Sequence, residues 1–190
     1  MMNAPLIYSF TLTQCALAVG LLFLAGGGHA LYHFADTEKR LRSFPRHRVA
    51  GLCLAVLALV WFLWLLWNMD LMEYTPHRPK FLIGFSVLGI ASMVYLRDFL
   101  SVRALAVLLL MGAKVLLDAA FLRDETSRLV LTVLAYVWVI VGMTLTAWPY
   151  VMRDALSWMY RVPVRARIFY AVGMGVGILL IGLALTSYRH

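Results

Sequence analysis

From Leu129 to Trp148 the chain runs 20 residues without one charged side chain, and five other stretches come close to that pattern. An α-helix rises 1.5 Å per residue, so about 20 apolar residues cross the roughly 30 Å hydrocarbon core of a bilayer. The stretches are Leu6–Ala30, Val49–Met69, Phe81–Leu96, Val102–Leu122, Leu129–Trp148 and Ile168–Ser187. They predict an all-α integral membrane protein. The expected form is a six-transmembrane-helix bundle of three helical hairpins, one domain over residues 1–190, with short loops and no soluble domain. Transmembrane barrels instead show strands of about ten residues with alternating polarity, and these unbroken runs do not alternate.

Hydrophobic residues make up 63% of the chain and charged ones 14%, against about 25% charged in an ordinary soluble domain. In water such a chain would expose large apolar patches; lipid as solvent removes that conflict. The third stretch is short, roughly 24 Å as a helix ending at Leu96. The link after it, Arg97-Asp98-Phe99-Leu100-Ser101, holds neither Gly nor Pro. A single bent or interfacial element there is the main alternative to a count of six. The N-terminal run has no basic segment before it, and Ala-Gly-Gly-Gly-His is a poor cleavage site, so it reads as a retained helix.

Basic residues set the expected orientation. The connections between spans 1–2, 3–4 and 5–6 carry five, two and four lysines or arginines, and the other side of the membrane holds five in all. The odd connections are therefore expected in the cytoplasm and both termini outside, in the cytoplasmic (inner) membrane. The net charge of +8 then reflects topology and contact with anionic lipid. No loop is long enough for a basic nucleic-acid-binding domain. Trp64 and Trp67 are expected as interface anchors on the outer half of the second span, with Trp148 and Trp158 at the inner boundary. Cys15 and Cys53 differ in expected depth by roughly 16 Å, too far for a disulfide.

Lys114 and Asp118 stand out inside the fourth span. Each charge at the centre of a membrane helix costs about 2.5 to 3.5 kcal/mol on the insertion scale, and a spacing of four residues puts both on one face. The simplest expectation is a self-neutralising pair turned toward the bundle. Sharper readings are a proton- or ion-coupling site, or a charge that docks a partner's helix. A retinal-bearing lysine fits poorly, since the helix count is one short and the counter-ion pattern is missing.

A second polar cluster closes the first span: His29, His33 and Asp36, after three consecutive glycines, Gly26 to Gly28. His29 and His33, four apart, could share a metal with oxygen ligands from Asp36 and Glu38; the plainer reading is an interfacial helix end, and no metal is assigned. Haem b would need axial histidines on facing helices, and spans 2 to 6 contain none. Cofactors are left unknown. In the sixth span Gly173 and Gly177 form a Gly-x-x-x-Gly pair, a helix-packing signal within the chain or between copies. Gln14, Asn68, Thr132 and Thr144 are expected to be satisfied locally.

A faint repeat relates the first and last hairpins: Tyr32, Asp36 and Pro45 recur at one offset as Tyr150, Asp154 and Pro163. The middle hairpin repeats only a fragment, Tyr95-Leu96-Arg97-Asp98. No nucleophile elbow, zinc-protease helix or P-loop occurs, so no catalytic residue is assigned and the leading reading is not an enzyme. Three classes follow in order: a non-catalytic subunit or assembly partner of a membrane complex; a small transporter or ion-coupled carrier using Lys114 and Asp118; a membrane enzyme acting on a lipid or quinone at the cytoplasmic face. The expected partners are the lipid bilayer, other membrane subunits, or a second copy through the sixth span.

Overall fold

The computed structural model describes residues 10–95, 98–121 and 128–186. Among these the chain is all α, with no strand. The helices are α1 (Leu12–Tyr32), α2 (Phe34–Ser43), α3 (Arg48–Asn68), α4 (Arg78–Tyr95), α5 (Leu100–Ala120), α6 (Arg128–Ala147), α7 (Tyr150–Arg161) and α8 (Pro163–Thr186). Five of them, α1, α3, α5, α6 and α8, are long and apolar enough to cross a membrane, as a multi-pass membrane protein requires. The 18-residue α4 opens on Arg78-Pro79-Lys80 and falls outside that set.

Local chemistry explains most boundaries. Helix α1 starts at Leu12, later than the apolar run, because Thr11 and Gln14 form a capping box: the Thr11 hydroxyl accepts from Gln14 N–H and the Gln14 side chain accepts from Thr11 N–H. Residues 6–9 of that run lie outside the described residues, as do Leu96, Leu122 and Ser187 at the ends of three other stretches. The His47 ring caps α3 by accepting from Ala50 N–H at 3.1 Å. Pro149 ends α6, since the residue before a proline avoids helical geometry. Pro163 begins α8, where a missing N–H costs nothing. That start lies five residues before Ile168 and brings Arg165 and Arg167 into the helix.

The connections expected as short loops are helices in two cases. Helix α2 continues almost directly from α1 across His33, where ψ turns to +48°, and α7 fills the stretch between α6 and α8. Phe34 and Leu41 share one side of α2 and charged residues cover the rest, and α7 buries Tyr160 alone. The order span, short amphipathic helix, span thus occurs twice, around the matched residues Asp36 and Asp154. The two units do not pack alike, for α1 lies along α8 whereas α6 lies along α5. Among the described residues no such helix separates α4 from α5; Phe99 takes a left-handed conformation (φ 57°) at the start of α5, and Leu96 and Arg97 are outside the described residues.

Helix α5 is the hub, packed on α6, α3 and α1. Small residues let these backbones approach closely: Ala106, Ala113 and Ala135 are fully buried, and a side chain at Gly142 would meet the Ala106 carbonyl at 3.1 Å. Gly51 of α3 sits against Ser101 N, so α3 and α5 start at the same end. There the buried Ser101 hydroxyl donates to the Phe44 carbonyl at 2.7 Å, tying α5 to the 3-10 turn Phe44–Arg46. Helix α4 packs mainly on α3, through Gly89 against Leu59 and an edge contact between Phe62 and Phe85. The four polar residues within spans are satisfied locally: Gln14 in its cap, Asn68 on Trp64 O, Thr132 on Arg128 O and Thr144 on Ile140 O.

Candidate functional site

Lys114 Nζ lies 2.8 Å from Asp118 Oδ2, a hydrogen-bonded ion pair one turn long on α5. Its lysine end is turned away from the bundle, contrary to the expected orientation, while Asp118 is largely covered. The Lys114 side chain is 45% exposed and that of Asp118 18%, and Val107 and Phe121, seven residues to either side of Lys114, are exposed with them. The opposite face, with Ala106, Ala113, Leu116 and Ala120, is buried against α6 and α1. Charge therefore sits at the centre of the outward face of the most central helix. Periodicity alone does not say whether a charged face on a largely apolar helix turns inward or outward. Arg103, one further turn-set toward the start of α5, has a buried Nε with no hydrogen-bond partner.

The His29 and His33 rings lie with centroids 5.0 Å apart, tilted by 45°, and Tyr32 adds an edge contact to His33 at 4.7 Å. Asp36 follows on α2, past the break at His33, and is exposed. Glu38 is engaged with Arg42 at 2.9 Å. Among the described residues no three His, Cys, Asp or Glu side chains converge to hold a metal. Cys15 is buried and Cys53 exposed, both as free thiols.

The two glycines of α8 separate in role. A Cβ on Gly177 would meet Gly20 O at 2.8 Å and Leu24 N at 3.0 Å, whereas one on Gly173 meets nothing within 4 Å. Gly177 thus belongs to a crossing with Gly20 of α1, whose own Cβ would meet Gly177 O at 2.9 Å. Gly173, with Gly175 and Gly182, faces outward. The partner of Gly177 lies 157 positions earlier in the chain, so spacing within α8 gave no hint of it.

Two features were not anticipated. At the end of the bundle carrying α2 and α7, the hydroxyls of Tyr160 and Tyr170 hydrogen-bond to each other. The Phe34 ring packs on Tyr160 at 5.9 Å, the Arg42 guanidinium lies 5.5 Å above Tyr160 and that of Arg167 5.4 Å above Phe34. Arg165 similarly covers Trp158 at 4.7 Å. Burial first, and then the bond to Tyr170, push the Tyr160 phenol well above its ordinary value, so it works as a neutral hydrogen-bonding group that joins α7 to α8. Near the other end, Trp61, Trp138, Gln14, Cys15 and Val115 line a mostly apolar cavity of about 500 Å³, within the size range of small-molecule sites.

Compared with known families, curated proteins and solved structures, the chain matches no family model, no curated protein and no solved structure. Function must be argued from the geometry alone.

Proposed function

We propose that this protein is a non-catalytic subunit or assembly partner of a membrane complex, docking through the outward face of α5. In this reading α4 is a sixth span, shortened by its basic start, and both termini lie outside the cytoplasm. The single observation that carries the proposal is the Lys114–Asp118 pair on the bundle's outer surface. Ionisable residues within membrane helices almost always face protein or a water-filled cavity, because hydrocarbon solvates them poorly. A second polypeptide over this face would supply that cover.

The order of the pair adds support. Lysine before aspartate at this spacing is the weaker orientation, and Asp118 stands in the last turn of α5, where the helix dipole disfavours an anion. The arrangement is a poor way to stabilise α5 itself. A carrier would need the pair to face a path through the molecule, and the inward side of α5 is packed with alanine and leucine. For an enzyme, the histidines and Asp36 form no convergent set.

The test is gentle extraction of the tagged full-length chain, followed by mass spectrometry of what accompanies it. A second polypeptide is expected with the wild type and absent with Lys114→Met/Asp118→Leu, whose thermal stability in detergent should match wild type. Either single change should be less stable, since it strands one charge. A monodisperse particle holding only this chain would overturn the proposal.

A further inference from the structure

Arginines from three separate segments converge on one cavity. Arg42 lies in the last turn of α2, Arg46 closes the 3-10 turn and Arg153 lies in the first turn of α7. They line a space of about 230 Å³ whose remaining walls are Pro45, Leu156 and Ser157. No acid lines it. Glu38 engages Arg42 through Nε, leaving the terminal nitrogens of that guanidinium free to donate. Asp154 engages Arg153 from the same helix. Arg46 has no hydrogen-bond or ion-pair partner among the described residues. With Glu38 and Asp154 each pairing one guanidinium, the cluster keeps one net positive charge and unused N–H donors, and a group with several acceptor oxygens satisfies these best.

Arg46 is also shared with a second cavity of about 370 Å³, where it is joined by His47 and Arg48. The other side of that cavity is apolar, formed by Leu52, Met93, Val94 and Leu100 from α3, α4 and α5. A polar arginine rim thus continues into an apolar groove between helices. That sequence of surfaces matches an amphiphile, with an anionic head at the rim and a chain along the groove.

We propose that Arg42, Arg46 and Arg153 form a binding site for the net-anionic phosphodiester headgroup of a lipid, with the acyl chain lying in the groove past Leu52 and Met93. The three arginines form charge-assisted bonds to the phosphate oxygens, and Arg46 holds the position where head and chain meet. This site does not depend on the docking role of α5. The anion chemistry alone is shared by a lipid head and free phosphate, and the apolar groove favours the lipid.

The experiment uses the full-length chain in neutral detergent, with bound lipid counted by native mass spectrometry during titration. Phosphatidylglycerol should bind at one tight equivalent, phosphatidylcholine at least tenfold more weakly, and millimolar inorganic phosphate should not displace it. Each of these arginines is assigned a direct charge-assisted contact to the head, so Arg46→Gln should weaken binding about fivefold and the triple Gln variant roughly a hundredfold. Arg46→Gln keeps the test sound if the triple variant unfolds, because the Arg46 side chain makes no hydrogen bond or ion pair among the described residues. Arg165→Gln/Arg167→Gln removes two charges from the same end but outside the cavity, and should change binding less than twofold. Equal losses in that control, equal binding of both lipids, or displacement by inorganic phosphate would each overturn the proposal.

Discussion

The crossing of α1 over α8 gives a sharp test of how these helices are held. Membrane helices gain little from burying apolar side chains against one another, since lipid is equally apolar; close packing must hold them. At Gly177 an added methyl would meet Gly20 O at 2.8 Å and Leu24 N at 3.0 Å, whereas ordinary contacts begin at 3.4 Å. Both neighbours are backbone atoms, so relief requires the two helices to move apart. A gap of about 0.5 Å already forfeits roughly a quarter of each dispersion contact along the seam, and overpacking typically costs about 1 to 3 kcal/mol. Replacing glycine by alanine also raises helix propensity by up to about 1 kcal/mol, which would blur a single measurement. Gly173→Ala removes that ambiguity, since its methyl enters open space. Propensity cancels between the two variants, and Gly177→Ala should be less stable than Gly173→Ala by about 1 to 3 kcal/mol. Unfolding by sodium dodecyl sulfate in mixed micelles, followed by tryptophan fluorescence, measures the difference. Equal midpoints for the two variants would falsify the assignment of Gly177 to the crossing. Gly20→Ala should behave like Gly177→Ala, for it meets Gly177 O at 2.9 Å.

Ser101→Ala removes the bond to the Phe44 carbonyl, which keeps one other donor in His47 N–H. The cost should therefore stay near 0.5 to 1.5 kcal/mol, with faster amide exchange around Phe44–Arg46 and unchanged exchange in α8; faster exchange in α8 would contradict the local role. Tyr160 binds its proton more tightly folded than unfolded, so its contribution to stability is complete below the ordinary tyrosine pKa of about 10 and is lost as pH rises toward the folded value. Tyr160→Phe should be less stable at pH 8 yet lose less than wild type between pH 9 and 11; parallel alkaline losses would count against it. A C-terminal phosphatase fusion should be active and a fluorescent fusion dark if the C-terminus lies outside, as the proposed orientation has it; the reverse pattern would invert the orientation.

Some of these features were legible in single residues. Apolar runs mark the helices because hydropathy over about 20 residues is a local property. Thr11, Pro149 and Pro163 set ends through atoms within four positions of themselves, and Gln14, Asn68, Thr132 and Thr144 find partners one turn away. The short helices α2 and α7 were missed because their length and charge resemble a basic loop. The length of the third apolar stretch was the one doubtful span in the sequence, and α4 is the helix that stands apart.

The amino-acid sequence by itself determined that this chain is helical, largely apolar, and divided into segments long enough to cross a bilayer. Direction was another matter. In a helix apolar on nearly every side, core-facing and lipid-facing residues look alike, so periodicity is silent about which face turns inward. Only tertiary packing turned Lys114 and Asp118 outward, set Gly177 against Gly20, and brought Arg42, Arg46 and Arg153 around one cavity. Each of those outcomes depends on residues far apart in the chain meeting at a distance of a few ångströms. Close packing selects such meetings, and no local pattern encodes them.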